Sequence, residues 1–162
     1  MFRILATVIG LALLASAVTA QSTKVGFGTV QDNSGLPVEI TSDRLDVDEN
    51  TGLAIFRENV VIIQGEMRLT ADEVTVFYDN VLEVVERFEA IGNVVFISGP
   101  DAAESKLANY YVATGLLVME GDVLVVQGPN TITSDEMTVY VDQGTAEMTG
   151  RVRTVLQTEE KE

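Results

Sequence analysis

One short pattern returns along this chain, and any fold must accommodate each return in the same way. Ile40-Thr41-Ser42-Asp43-Arg44-Leu45 reappears as Leu69-Thr70-Ala71-Asp72-Glu73-Val74 and again as Ile132-Thr133-Ser134-Asp135-Glu136-Met137. A more degenerate copy emerges at an offset of 63, which lays Thr51-Gly52 on Thr114-Gly115 and Gln64-Gly65 on Gln127-Gly128. An offset of 92 lays Gly52 on Gly144 and Val60 on Val152, completing four units. The second unit begins at an offset of 29 and ends at 34, so it carries five extra residues, expected to lengthen the turn near Asp79-Asn80. A unit this small cannot bury its own apolar face and must stack on its neighbours. The 162 residues therefore read as one folded domain.

Each unit reads as strand, turn, strand. Its second half repeats a signature, Glu58-Asn59-Val60, Gly92-Asn93-Val94, Gly121-Asp122-Val123 and Gly150-Arg151-Val152. Glycine inside a strand pattern marks a bulge or bend. Gly65-Glu66, Gly99-Pro100 and Gly128-Pro129 are turn dipeptides at the unit boundaries. The first strands also change buried parity: Val38 and Ile40 give way to Leu45 and Val47, Met67, Leu69 and Ala71 to Val74, Val76 and Tyr78, and Ile132 and Ser134 to Met137, Val139 and Val141. A strand switches parity only through an extra residue or by passing between two sheets. The Ser/Ala-Asp pair is therefore expected to be a corner, and aligned corners would fold a long antiparallel meander into a V-shaped, half-open roll. The second strands carry runs such as Val60-Val61-Ile62-Ile63, Val94-Val95-Phe96-Ile97 and Val123-Leu124-Val125-Val126. Such runs suit burial on both faces, whether in a sandwich core, against a partner or around an apolar ligand.

The chain contains no cysteine and no histidine. That removes the imidazole base, the thiolate nucleophile and sulfur-ligated metal, and no enzyme is expected. The net charge of −15 repels nucleic acid, whose phosphates need Lys and Arg. Arg3 followed by the uncharged residues 4–17, then Val18-Thr19-Ala20, forms a signal-peptide pattern with a cut before Gln21, or after Ala17. The apolar stretch falls short of the roughly 20 residues that span a bilayer, which disfavours a retained anchor. Residues 1–20 are thus expected to be a signal peptide, 21–35 a flexible leader rich in Ser, Thr and Gly, 36–157 the domain and 158–162 a charged tail that limits self-association.

The segments Thr-Ser-Asp-Arg-Leu-Asp-Val (41–47), Ala-Thr-Gly-Leu-Leu-Val-Met-Glu-Gly-Asp-Val (113–123) and Thr-Ser-Asp-Glu-Met-Thr-Val (133–139) resemble the OstA-like family over residues 37–156. Its soluble members are periplasmic lipopolysaccharide-transport proteins. The resemblance implies an all-β, OstA-like β-jellyroll: a half-open folded antiparallel sheet whose apolar groove holds lipid A acyl chains. It implies a non-catalytic periplasmic carrier without cofactor or metal. Members join head to tail through edge strands, here near 38–46 and 145–156, and bridge an inner-membrane export complex to an outer-membrane receptor. Burying about 0.8 kcal/mol per CH₂ gives an acyl chain of a dozen carbons on the order of 10 kcal/mol of gross transfer energy, so a carrier needs an apolar trough more than charge contacts.

Equivalent positions in the repeats nominate the groove. The second strands offer Val60, Val94 and Val123 (with Val152), then Ile62, Phe96 and Val125 (with Thr154). The first strands offer Leu45, Val74 and Met137 (with Ala108), then Val47, Val76, Tyr110 and Val139. Phe56, Met119 and Met148 form a further column suited to irregular lipid surfaces. Arg44, Arg57, Arg68 and Arg87 are basic candidates for the groove mouth or solvated surface charges. Asp46-Val47-Asp48-Glu49-Asn50 lacks the glycine and terminal glutamate of a calcium loop and reads as a hairpin turn. Carboxylate pairs such as Asp135-Glu136 could serve a glycosidase, but they recur as punctuation of the repeat. An anchored inner-membrane component of the same machine, or a ligand-free β-repeat scaffold, are the alternatives; a receptor is not expected, since no barrel sequence follows Leu156.

Overall fold

The computed structural model describes residues 23–29, 35–48, 50–79 and 84–157. Residues 1–20, expected to be a signal peptide, the charged tail and the turn after Asp79 lie outside the described residues. Among the described residues are eleven strands and one 3-10 turn, Val141–Gln143: β1 Thr23–Gly26, β2 Glu39–Thr41, β3 Arg44–Asp48, β4 Leu53–Gln64, β5 Met67–Asp79, β6 Val84–Ser98, β7 Asp101–Tyr111, β8 Leu116–Gln127, β9 Asn130–Tyr140, β10 Thr145–Thr149 and β11 Arg153–Val155. They form one antiparallel sheet in the order β1-β10-β9-β8-β7-β6-β5-β4-β2, with β3 also on β4 and β11 also on β9. The four units are its four consecutive hairpins.

The corner lies where the parity switch placed it. Register shifts fall between Arg57 and Val60 of β4, between Ile91 and Val94 of β6, and between Glu120 and Val123 of β8. At each, two residues of the second strand oppose one of the first, the arrangement of a β-bulge. Both residues of each pair have left-handed φ: Glu58 and Asn59 (65° and 52°), Gly92 and Asn93 (80° and 46°), Gly121 and Asp122 (84° and 50°), Gly150 and Arg151 (73° and 41°). The corner residue on the first strand of the same hairpin pairs with the second residue of each pair. Asn59 donates to Asp43 (2.6 Å), Asn93 to Asp72 (2.8 Å) and Arg151 to Asp135 (2.5 Å), while Lys106 pairs with Asp122. Backbone bonds close the corner, Asp43 N–H to Glu58 O and Asp135 N–H to Gly150 O, both 2.9 Å. The hydroxyls of Ser42, Ser105 and Ser134 each donate to the carbonyl two residues on.

The corners divide the sheet into two leaves. β3, β10 and β1 belong to the first leaf, β2 and β11 to the second, and the long strands pass through both. β5 and β6 have 13 and 15 residues against 11 and 12 in β7 and β8, so the second unit has the longer strands, while the turn expected to carry its five extra residues lies outside the described residues. The flexible leader is corrected at residues 23–29, while 21–22 and 30–34 lie outside the described residues. Residues 23–26 form β1, which pairs with β10 from Thr23 opposite Met148 to Gly26 opposite Thr145. Val25 and Phe27 alternate with Lys24 and Gly26, and this period-two burial prevails over the Ser/Thr/Gly composition around it.

In the apolar runs only one parity is buried. Val60, Ile62, Val94, Phe96, Val123 and Val125 point inward, whereas Ile63, Ile97 and Val126 are more than a third exposed on the outside of the second leaf.

The corner makes a sharp stability prediction. Adding a Cβ to Gly92 would place it 2.5 Å from Asp72 Oδ2 at φ +80°. Gly92→Ala is therefore expected to lower stability by about 1–3 kcal/mol in urea unfolding, whereas Glu58→Gly, at the same corner position, is expected to raise it by about 1 kcal/mol. A destabilising Glu58→Gly would contradict the strain assigned there.

Candidate functional site

Strand register gathers the inner-facing side chains into rows that cross the sheet. In the first leaf one row runs Leu45, Phe56, Val74, Ala90, Ala108, Met119, Met137 and Met148, each opposite the next. A second passes through Val47, Ala54, Val76, Phe88, Tyr110, Leu117, Val139 and Ala146. In the second leaf Ile40, Ile62, Leu69, Phe96, Ala103, Val125 and Ile132 form a row, and Val60, Val94 and Val123 stand beside the corner. All sixteen groove candidates thus lie on the inner face. Their burial differs. Val74, Val94, Met119, Val125, Met137 and Met148 are inaccessible, Phe56 is half-buried, and Leu45 and Val47 are 52% and 65% exposed because no strand lies beyond β3.

The expected trough is not an empty channel. The inner faces of the central strands meet in one core, and a cavity of about 20 Å³ remains between Ile62, Gln64, Leu69, Phe96, Tyr110 and Leu117. That volume suits about one water. Space opens at the β2/β3 end, where Val38, Ile40, Phe56, Val76, Phe88 and Val112 border a cleft of about 480 Å³. Ala54, Leu117 and Phe88 were missed among the candidates, although Ala54 and Leu117 each lie two residues from one along the strand and Phe88 stands opposite Val76 and Tyr110. Gln64 carried no signal, being a polar residue at the end of an apolar run.

Gln64 is buried, and the hydroxyl of Tyr110 donates to its Oε1 at 2.8 Å. The Gln64 side-chain amide donates in turn to Leu36 O at 3.1 Å. Tyr110 lies in the first leaf and Gln64 in the second, so this bond ties the leaves together across their open side. Burial, with a contribution from the Asp142 charge, pushes the Tyr110 phenol up to about 12.

The basic candidates do not face the groove. Arg57 pairs with Asp46 and with Glu73 (2.7 Å), and Arg44 with Asp46 (3.0 Å), all on the outer face. The Arg44 hydrogen bond, reinforced by Arg57, holds the Asp46 carboxyl below the usual carboxylate range. Arg87 bonds Glu89 and Asn109 and lies over the Phe77 ring. Arg68 is exposed, opposite Ile63 and Ile97, which also face outward. Asp48 accepts from Asn50 N–H (2.9 Å) and from Gly52 N–H through its carbonyl (2.8 Å), so the acidic stretch ends in a hairpin turn. Among the described residues no group of three or more acidic side chains is placed to hold a metal ion, and no helix is long and apolar enough to cross a membrane.

The Tyr110 phenol sets a pH dependence. It stays protonated in the folded protein to about pH 12, while in the unfolded chain it ionises near 10. The folded state therefore binds more protons between these values, and the stability contributed below pH 10 is lost progressively as the pH rises toward 12. Urea midpoints measured from pH 9 to 12 are expected to fall more steeply for the wild type than for Tyr110→Phe. Parallel curves would contradict the burial of this hydroxyl.

Residues 39–155 match the family model described as "LptA/(LptD N-terminal domain) LPS transport protein". An uncharacterized protein of Rhizobium meliloti (strain 1021) is 30% identical over 132 residues, covering 75% of this chain and 71% of that protein. The fold matches the crystal structure of LptH, described as the LptA-homologous periplasmic component of the lipopolysaccharide transport device of Pseudomonas aeruginosa. The TM-score is 0.69 at 20% identity, covering 78% of this chain and 99% of LptH. With its four hairpins inside the matched region and its inner face crossed by apolar rows, this chain belongs to the LptA/LptD N-terminal domain family of lipopolysaccharide-transport proteins.

Proposed function

We propose that this protein is a periplasmic carrier that binds lipopolysaccharide through its acyl chains and passes it along a bridge of head-to-tail copies. It joins an inner-membrane export complex to an outer-membrane receptor and performs no chemistry of its own. The observation that carries the reading is the set of unbroken apolar rows, which cross the whole sheet and emerge in an open apolar cleft at the β2/β3 edge. An acyl chain entering there exchanges water for Phe56, Val76 and Phe88, and each CH₂ buried is worth about 0.8 kcal/mol. Further passage requires the leaves to part, since their inner faces meet beyond the cleft. The outer Arg–carboxylate pairs leave phosphate recognition a secondary role.

The two ends of the sheet support the assembly. β3 and β2 have five and three residues, and so do β10 and β11. β3 and β10 share the first leaf, β2 and β11 the second. Each leads its leaf in the opposite chain direction from its counterpart, so one copy's β2/β3 edge can continue the antiparallel sheet of the next. Exposed edges pair with other chains unless blocked, and a head-to-tail contact of this kind grows as an open filament. Leu45 and Val47 would extend the inner rows across the junction.

Photo-crosslinking amino acids placed at Phe56 and Phe96, compared with Asn50 in an exposed turn, test the reading in cells. Labelling by lipopolysaccharide is expected at 56 and 96 and at least tenfold weaker at 50. Equal labelling at all three positions would remove the groove as the lipid site.

A further inference from the structure

We infer that residues 23–29 are an internal stand-in for a second copy and for its cargo: β1 occupies the edge that the next molecule's β3 would take, and Phe27 occupies interior space that an acyl chain would take. This inference rests on the carrier reading and adds to it a coupling between assembly and loading.

The strand is foreign to the repeat. It precedes the family match, which begins at residue 39, and it is joined to the sheet at the end opposite β2. It pairs with β10 in the antiparallel sense, running from the corner toward the outer turn. β3 runs in that same sense against β4, from Arg44 beside the corner to Asp48 at the turn. Val25 stands opposite Ala146, on the inner row that begins at Val47. Thr23 stands opposite Met148, on the row that begins at Leu45. A second copy docked by its own β3 would place Leu45 and Val47 at these two positions. With β9 on one side of β10, a single edge is left for a further strand, so β1 and an incoming β3 exclude each other.

Beyond β1 the chain crosses between the leaves. Phe27 N–H bonds Gly144 O (3.0 Å) on the first leaf's rim. Gly28 N–H then donates to Asp101 Oδ2 (2.8 Å), and Gln127 donates both to Gly26 O (2.8 Å) and to Asp101 Oδ2 (2.9 Å), all on the second leaf's rim. Between these ties Phe27 drops into the interior, 2% exposed, and stacks on Phe96 with ring centroids 5.8 Å apart. Phe96 also borders the small central cavity. One four-residue strand and a handful of rim hydrogen bonds hold this arrangement, a small unit to release beside the long hairpins. Its release frees the β10 edge and vacates the space against Phe96 in the same motion.

A disulfide lock tests the inference. Lys24 and Glu147 are directly opposed across β1 and β10, at a spacing of about 4.5–5.5 Å that a disulfide can span, and the chain has no cysteine of its own. In the K24C/E147C variant, oxidised and reduced forms are compared by sedimentation velocity over a concentration series and by uptake of N-phenyl-1-naphthylamine and lipopolysaccharide. The oxidised form is expected to remain monomeric at concentrations where the reduced form associates, and to take up at least tenfold less probe and lipid. Deletion of residues 21–29 should shift both readouts the opposite way, and Phe27→Ala should raise uptake alone. If either assembly or uptake is the same in the oxidised and reduced forms, the coupling is overturned. If the reduced and deletion proteins bind no lipopolysaccharide at all, it is the carrier reading that fails.

Discussion

The two-against-one corner is the constraint from which the rest of this structure follows. A flat meander of four hairpins would present one apolar face to water with nothing to cover it. Two consecutive left-handed residues on every second strand, set against a single residue on every first strand, turn the sheet at the same level in each hairpin. The extra residue restores to the inner face the parity that the bend would otherwise lose, so both leaves present apolar side chains to each other. The chemistry of the polar pair varies, from Asp43–Asn59 and Asp72–Asn93 to Lys106–Asp122 and Asp135–Arg151, while its geometry does not. Lys106 holds the Asp122 carboxyl, and Arg151 that of Asp135, below the ordinary carboxylate range. Exposed pairs of this kind contribute little net stability. Their role is to hold the turned strand in one orientation.

The corner was legible in the sequence because it leaves two independent marks, a parity switch on the first strand and a Gly-polar-Val triplet on the second. The inner rows were legible for the same reason, since equivalent positions in a repeat must occupy equivalent places. β1 was not, because it belongs to no repeat. Its partner lies more than a hundred residues away at the other end of the chain, and a four-residue alternation beside Ser, Thr and Gly carries little weight until that partner is known. Leu45 and Val47 were readable as inner-facing, but their exposure depends on sitting at the last strand, a property of sheet order rather than of local sequence. Arg57 and Arg87 faced the same limit, since period two assigns a face but does not name the carboxylates across the strand.

The interior likewise shows what pattern alone leaves undecided. Apolar rows read from sequence are compatible with a filled core and with an open groove, because both demand the same side chains. Here, among the described residues, the central strands close on each other and a cleft opens at the β2/β3 end. The difference is made by side-chain volume across the leaves and by ties such as Tyr110 to Gln64 and Phe27 on Phe96, which join residues from distant hairpins.

That closure bears on how a carrier of this shape would work. Its inner rows stay apolar from one hairpin to the next, built mainly of valine, methionine, alanine and phenylalanine with few polar groups among them. Hydrophobic attraction is non-directional and scales with area, so an alkyl chain finds no deep stopping point along such a row. A site with a specific polar anchor would hold its lipid in one place. A uniform apolar one lets the lipid advance by exchanging equal contacts, the leaves parting ahead of it and meeting behind. Closure would then have a use of its own in such a carrier: whatever length of the interior the lipid did not occupy would be covered by protein side chains instead of water, which removes the penalty of keeping a long apolar channel open.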